Sequence, residues 1–336
     1  MTNKLLSKAQ TLKYLESKVS LFSVPDLLFF KTSLFQTNPL AIVSEIQDHF
    51  QGRVVIIRSS AADEDGELKA SAGEYDSVLN VPSSNKENIV SAINAVILSF
   101  ELKRPSHKDD EFIVQEMVQK SSMSGVVFTH DLNTGAPYYV INYDDVSGLT
   151  DTVTSGGGEY SNRTLYIHRG SLKLVRSERF LNLLKAIQEL EQILDSQFLD
   201  IEFALSKELK PYLLQVRAIT TQPNWNRALS KRVDTALRGI QLYVRERFKP
   251  TFGVFGGTTV LGQMPDWNPV EMIGRTPRAL AFSLYKMLIT DNAWRTAREI
   301  MGYAVPTGKT LMISLAGQPY IDTRLSFHSF LPATLS

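Results

Sequence analysis

LDIEFALSKELKPYLLQVRAIT, residues 199–220, reads as a β-hairpin. Two apolar arms, LDIEFALS and PYLLQVRAIT, flank a short polar turn at Lys207–Lys210. Side chains alternate between the faces of a strand. On the first arm Ile201 and Phe203 therefore share one face, and Asp200, Glu202 and Ala204 the other. On the second arm Leu213, Gln215 and Arg217 share a face. The hairpin can thus present Glu202, Gln215 and Arg217 together. A carboxylate and an amide oxygen are hard donors suited to Mg2+ with phosphates, and an arginine can fork onto phosphate oxygens. The pattern alone equally describes the ordinary polar face of an exposed hairpin.

Outward from this hairpin, further strand-like runs lie at Val54–Ile57, Phe112–Val118, Gly125–Thr129, Tyr138–Tyr143 and Thr164–His168. Helical periodicity marks Lys4–Leu15, Leu40–Phe50, Glu87–Phe100 and Phe180–Leu194. Residues 1–50 read as mostly helical, with a break at Pro25. Strands and helices mix through hairpins, without regular βαβ alternation, which predicts an α+β fold. After Pro223 the texture changes. Trp225–Phe248 reads as one long basic helix, and an aromatic- and proline-rich segment follows. A domain boundary is expected near 221–224, with residues 1–222 and 223–336 as the two parts and the second mainly helical.

The chain has 336 residues, enough for two or three domains. Formal net charge is +1, so no bulk electrostatic attraction to nucleic acid or an anionic membrane is implied. Cysteine is absent, which excludes disulfides and thiol nucleophiles and fits a reducing compartment. No apolar run approaches the roughly 20 residues needed to cross a bilayer. The expectation is a soluble, cytoplasmic protein with no nucleic-acid or membrane partner. The apolar end, SFHSFLPATLS, suggests a fragment of a longer chain.

RSSAADEDGELKASAGEYDSVLNV, residues 58–81, follows the Val54–Ile57 run. Small residues let backbone N–H groups approach an anion closely, and Arg58 supplies a forked cation at the mouth of the loop. A solvated surface loop has the same composition. VQEMV, at Val114–Val118, ends a strand whose backbone edge could read a purine; a plain core strand reads the same way.

Taken in order, these segments resemble the nucleotide-binding domain of phosphoenolpyruvate synthase and pyruvate phosphate dikinase, an ATP-grasp fold. The resemblance runs along residues 1 to about 221. LLSKAQTLKYLE is similar to the family's N-terminal lysine segment, with Lys8 in place of its ATP-binding lysine and Leu6 and Ser7 where the family has glycines. The 58–81 segment resembles its arginine-serine-serine stretch, with Ser71, Ala72 and Gly73 as the flap over the nucleotide. FIVQEMV resembles the adenine-contacting strand, with Gln115, Glu116, Met117 and Val118. SGVVFTHDLNTG resembles the family's turn that includes Thr129. GLTDTVTSGGGEY is similar to another family motif, with Thr150 and Asp151 departing from it. LDIEFAL and LLQVRAIT are close to its metal and phosphate strands.

The resemblance implies two lobes, divided near 105–110, that enclose ATP and Mg2+. It implies Arg58, Glu202, Gln215 and Arg217 as catalytic groups, and Glu202 and Gln215 as metal ligands. A phosphoryl group would pass from ATP to a histidine on a separate domain and then to a small acceptor, with AMP and phosphate as products. None of the histidines, His49, His107, His130, His168 and His328, lies in the family's glycine-rich Ser/Thr-His setting. A phosphohistidine domain is therefore expected downstream or on a partner. The segment after 225 is similar to the middle, acceptor region of the L-glutamine kinase-like branch, which suggests pyruvate or an amino-acid amide as acceptor. Asp266, Asn268, Glu271, Arg275, Arg278, Asp291, Arg295, Asp322 and Arg324 could recognise a zwitterion there, or could be a helix cap with structural ion pairs. Two other functions fit the sequence: an ATP-binding module without activity of its own, and a protein-interaction scaffold resting on the Trp225–Phe248 helix.

Overall fold

In the computed structural model, residues 7–60, 77–102, 107, 110–148, 163–219 and 228–335 are described. The chain divides into two compact units, Met1–Leu229 and Ser230–Ser336. The α+β expectation holds: the first unit carries two antiparallel sheets with helices, and the second carries helices with one small sheet.

The first unit begins with helix α1 (Lys8–Glu16), strand β1 (Leu27–Lys31), helices α2 (Thr32–Thr37) and α3 (Pro39–Phe50), strands β2 (Val54–Ser60) and β3 (Ser77–Pro82), helix α4 (Lys86–Glu101) and strand β4 (Glu111–Glu116). The strands form one antiparallel sheet in the order β1-β4-β2-β3. Period two decides what each face carries. Val55 and Ile57 of β2 and Phe112 and Val114 of β4 pack on Ile42, Ile46 and Phe50 of α3 and Ile89, Ile93 and Phe100 of α4. The alternate residues, Ile56 and Arg58 of β2 and Ile113 and Gln115 of β4, lie on the other face.

Strands β5 (Met123–Phe128), β6 (Tyr138–Asp144), β7 (Arg163–His168), helix α5 (Glu178–Leu194) and strands β8 (Leu199–Leu205) and β9 (Pro211–Ala218) complete the unit. They form a second antiparallel sheet, β7-β6-β5-β8-β9. Phe180, Leu183, Leu184, Ile187 and Leu190 of α5 recur at helical spacing and bury against Val127, Ile141, Ile201 and Phe203. The same core takes in Ala9, Leu12 and Leu15 of α1 and Leu27 and Ile113 of the first sheet. Helix α1 thus belongs to the core where the two sheets meet, which holds its first residue, Lys8, against the site described below.

Three expectations are corrected. Residues 27–31, LLFFK, form a strand within the stretch read as helical, because β1 completes the edge beside β4. Strand β2 does not stop at Ile57 but runs through Ser60, so Arg58 lies inside the strand. Ser59 and Ser60 are small enough to be buried there, and Ser60 Oγ accepts the Ala9 N–H at 3.4 Å. On β9, Leu213 leaves the face assigned to it. Glu202 pairs with Gln215 but Phe203 with Leu213, so a bulge at Leu214 turns Leu213 into the core.

The second unit opens with helix α6 (Leu229–Arg247), strand β10 (Leu261–Gly262), helix α7 (Pro269–Ile273) and helix α8 (Ala279–Tyr285). Through a π-helical stretch, Lys286–Ala293, α8 passes into α9 (Trp294–Ile300). Strands β11 (Met312–Leu315) and β12 (Gln318–Asp322) and helix α10 (Thr323–His328) follow. The small sheet is ordered β10-β12-β11, and its core is Tyr285, Trp294, Leu311, Met312, Ile321 and Leu325. This sheet departs from the mainly helical expectation for residues 223–336.

Candidate functional site

Arg58 is the meeting point of the two sheets of the first unit. Its Nη2 donates to Glu202 Oε2 at 2.8 Å and to Gln215 Oε1 at 3.2 Å. Its Nη1 donates to the Leu214 carbonyl at 3.3 Å. The bulge that moves Leu213 inward is what offers this carbonyl. Glu202 and Gln215 are opposite each other in the β8–β9 register, so a carboxylate and an amide oxygen stand side by side on one cation. Side chains of Arg58 and Glu202 are largely shielded, at 15% and 20% exposure.

The next pair along the hairpin is Asp200 opposite Arg217. Arg217 Nε and Nη2 both reach Asp200 Oδ2, at 2.7 and 2.6 Å. Burial pushes the Asp200 carboxyl up, against the pull of Arg217 and with the Glu202 charge adding to it. Burial also works against the Glu202 charge, but Arg58, Lys8 and Arg217 together hold that carboxyl below its usual range. Three cations, Lys8, Arg58 and Arg217, therefore act on two carboxylates, Asp200 and Glu202. The excess positive charge suits an anion.

Lys8 is buried at the start of α1. Ser7 caps the helix by accepting the Gln10 N–H at 3.3 Å, and its own hydroxyl donates to Glu111 Oε2 at 2.7 Å. Gln10 Nε2 also donates to Glu111 Oε1, at 3.3 Å. Ser7 thus fixes the helix start through a cap.

Ile56, Arg58, Ser77, Leu79, Glu202 and Leu214 line a cavity together with Gln115, Glu116, Met117 and Val118. Gln115 is 1% exposed, and its Nε2 has no hydrogen-bond partner among the described residues. A buried unpaired amide donor beside a cavity is costly unless something fills it. Met117 N–H donates to the Val54 carbonyl and Glu116 N–H to the Asp26 carbonyl, at 3.0 and 2.8 Å.

The structure brings Arg58, Glu202, Gln215 and Arg217 together, with Lys8 in electrostatic range of both carboxylates and Gln115 to Val118 on the same cavity. It leaves Thr129 apart. Thr129 is fully buried, its Oγ1 donates to the Gln197 carbonyl at 2.6 Å and accepts the Leu199 N–H at 2.8 Å. That hydroxyl latches the chain entering β8. Ser71, Ala72, Gly73, Thr150 and Asp151 lie outside the described residues. Asp200 joins the candidate site without having been expected there: alternation puts it on the Glu202 face, and its pairing with Arg217 follows only from the strand register.

Residues 37–179 match the family described as pyruvate phosphate dikinase, AMP/ATP-binding domain. Over that stretch the chain is similar to an ATP-binding domain of the pyruvate phosphate dikinase type. A curated relative, the prodigiosin synthesizing transferase PigC of Serratia marcescens, is 27% identical over 222 residues, covering 54% of this chain and 24% of that protein. The chain thus matches about a quarter of the length of that relative. Among solved structures, D-alanyl-alanine synthetase A from Vibrio cholerae is 16% identical with a TM-score of 0.36, covering 68% of this chain and 59% of its own. VanG D-Ala:D-Ser ligase from Enterococcus faecalis is 17% identical with a TM-score of 0.36, covering 67% of this chain and 55% of its own.

The pyruvate phosphate dikinase match spans α3 to the start of α5. It therefore includes Arg58 and the Gln115–Val118 segment, while Lys8 and the β8–β9 hairpin lie on either side of it. In the second unit several of the polar and charged residues singled out from sequence are engaged with their own unit. Asn268 caps α7 through the Glu271 N–H, and Asp266 accepts from Arg298 Nη2 at 3.2 Å and Ser326 Oγ at 2.8 Å. Asp291 pairs with Lys286 and Thr310, and Arg324 donates to the carbonyls of Arg247 and Lys249. No helix among the described residues is long and apolar enough to cross a membrane.

Proposed function

We propose that the first unit binds ATP with Mg2+ between its sheets and serves a dikinase-type phosphotransferase. The observation that carries this reading is Arg58, Glu202 and Gln215 converging beside the Gln115–Val118 cavity. In it the purine lies along Gln115 to Val118, where the unpaired Gln115 amide supplies a donor. The phosphates lie toward Lys8, Arg58 and Arg217. Glu202 and Gln215, two adjacent hard oxygen donors, fit Mg2+ shared with phosphates, and would hold it. When bound, that ion would neutralise phosphate charge.

Arg58 has a specific part in this reading. Its Nη2 occupies both candidate metal donors, so it serves as a placeholder cation that turns to the phosphates when the nucleotide enters. Phosphoryl transfer asks little covalent chemistry of the protein, and these groups work by positioning and charge neutralisation. Ser71, Ala72 and Gly73 complete the proposed nucleotide contacts. The phosphoryl group would pass to a histidine on a further domain, in cis or in trans, and on to a small acceptor such as pyruvate or an amino-acid amide like L-glutamine. The second unit is the candidate acceptor region.

Isothermal titration with ATP and Mg2+ tests the binding step. AMP release on addition of a phosphohistidine domain tests the reaction. ATP binding without AMP release under those conditions would reduce the unit to a binding module, and absence of ATP binding would sink the reading.

A further inference from the structure

Glu116–Val118 has open space on two sides. One is the cavity shared with Arg58 and Glu202. The other is a larger, polar cavity whose walls include Asp26, Arg53, Val54 and Tyr212. A segment bordered by two cavities is not placed by close packing, so hydrogen bonds must set its position.

Those bonds converge on Arg53. Its Nη1 donates to Glu116 Oε2 at 2.6 Å and its Nη2 to Asp26 Oδ2 at 2.9 Å. Nε and Nη2 also donate to the Phe50 and His49 carbonyls, each at 3.0 Å, at the end of α3. A cation there also meets the negative end of the helix dipole. The backbone repeats the same ties. Glu116 N–H reaches the Asp26 carbonyl, and Met117 N–H reaches Val54, the neighbour of Arg53. His49 Nε2 bonds the other oxygen of Asp26 at 2.8 Å. One planar fork therefore joins α3, the start of β1 and the end of β4.

We propose that Arg53 is a positioning residue for purine recognition: it holds the Glu116–Val118 backbone at the cleft, and does so from outside the cleft. The inference rests on the nucleotide reading given above. The Arg53 side chain is 39% exposed, and ion pairs at that exposure contribute little to stability. Its loss should thus disturb the purine end of the site more than the fold. A lysine carries a point charge without the fork and cannot serve four acceptors at once.

The test uses the full chain and measures affinity for Mg·ATP and for inorganic tripolyphosphate by titration calorimetry. Arg53→Met is expected to weaken ATP binding about tenfold or more while leaving tripolyphosphate within about twofold of wild type. Arg53→Lys is expected to fall between, and Arg58→Met to weaken both ligands. If Arg53→Met does not fold, as judged by circular dichroism, Glu116→Gln carries the same expectation. ATP affinity unchanged in both Arg53→Met and Glu116→Gln overturns the inference and leaves the nucleotide reading intact. So does an equal loss for ATP and tripolyphosphate. A wild-type chain that binds tripolyphosphate but no ATP, or neither, overturns both.

Discussion

Arg58 of β2 and Glu202 of β8, 144 residues apart, are joined at 2.8 Å across the two sheets of the first unit. The same guanidinium also holds Gln215, the cross-strand partner of Glu202. The pair is thus both a structural tie and the centre of the candidate site. Glu202→Gln keeps the shape and removes the charge. It is expected to abolish the Mg2+ dependence of ATP affinity, a loss of about tenfold or more, with circular dichroism unchanged. An ATP titration with and without Mg2+ that matches wild type in both conditions would remove Glu202 from the site.

Gly125 of β5 lies so close to β6 that a Cβ there would stand 2.0 Å from the Asn142 carbonyl oxygen and 2.8 Å from Tyr143 Cα. The obstacle is backbone and cannot swing aside. Gly125→Ala must therefore separate two paired strands at the middle of the second sheet. We expect a loss on the order of 3 kcal/mol in urea unfolding. A loss under about 1 kcal/mol would show that the sheet adjusts there.

Arg169 and Glu191 form a shielded, two-bond ion pair, at 2.6 and 3.0 Å, and the Arg169 guanidinium also covers the Tyr139 ring at 4.6 Å. Removing one member leaves a charge buried without its counter-charge. Arg169→Met is expected to cost about 3 kcal/mol. Chemical denaturation of Arg169→Met and of the Arg169→Met/Glu191→Met double variant checks this, because the double variant should recover part of the loss.

His130 is buried, and burial, with the Arg169 charge adding, lowers its pKa to about 4 against the backbone bond to Gln197. The Nδ1 contact to the Gln197 carbonyl, 3.0 Å, requires Nδ1 to carry the proton of a neutral ring. Between pH 6.5 and about 4 the unfolded chain binds a proton that the folded chain refuses. Stability therefore falls as pH drops through that window, by about 3 kcal/mol at most. His130→Gln should have a shallower slope of unfolding free energy against pH over that interval. Parallel slopes for wild type and variant would contradict the assignment.

Local features of the site were readable in advance. Glu202 and Gln215 are on adjoining strands of one hairpin, so alternation alone brings them together. The α5 core face, Phe180 to Leu190, follows from helical spacing. The Leu213 misassignment shows where alternation stops working: one extra residue at Leu214 reverses the facing of everything on one side of it. Thr129 had a motif but no free hydroxyl, because its Oγ1 is used between Gln197 and Leu199. The five apolar-rich residues of β1 carry no decisive period, so the sequence alone places them in a helical stretch; the open edge of β4 decided their form.

By itself the sequence determined the elements with a clear period, the α+β class, and the pair of oxygen donors on the β8–β9 hairpin. These depend on contacts between residues near one another along the chain. Only the tertiary structure decided that Arg58 would hold both donors, that Asp200 would take Arg217, that Lys8 would be buried at the head of α1, and that Arg53 would join α3 to Glu116. Periodicity states which face a residue occupies. It does not state which distant residue will stand opposite, because that depends on strand order, register and single bulges, which are set when the two sheets and α1 bury a common core.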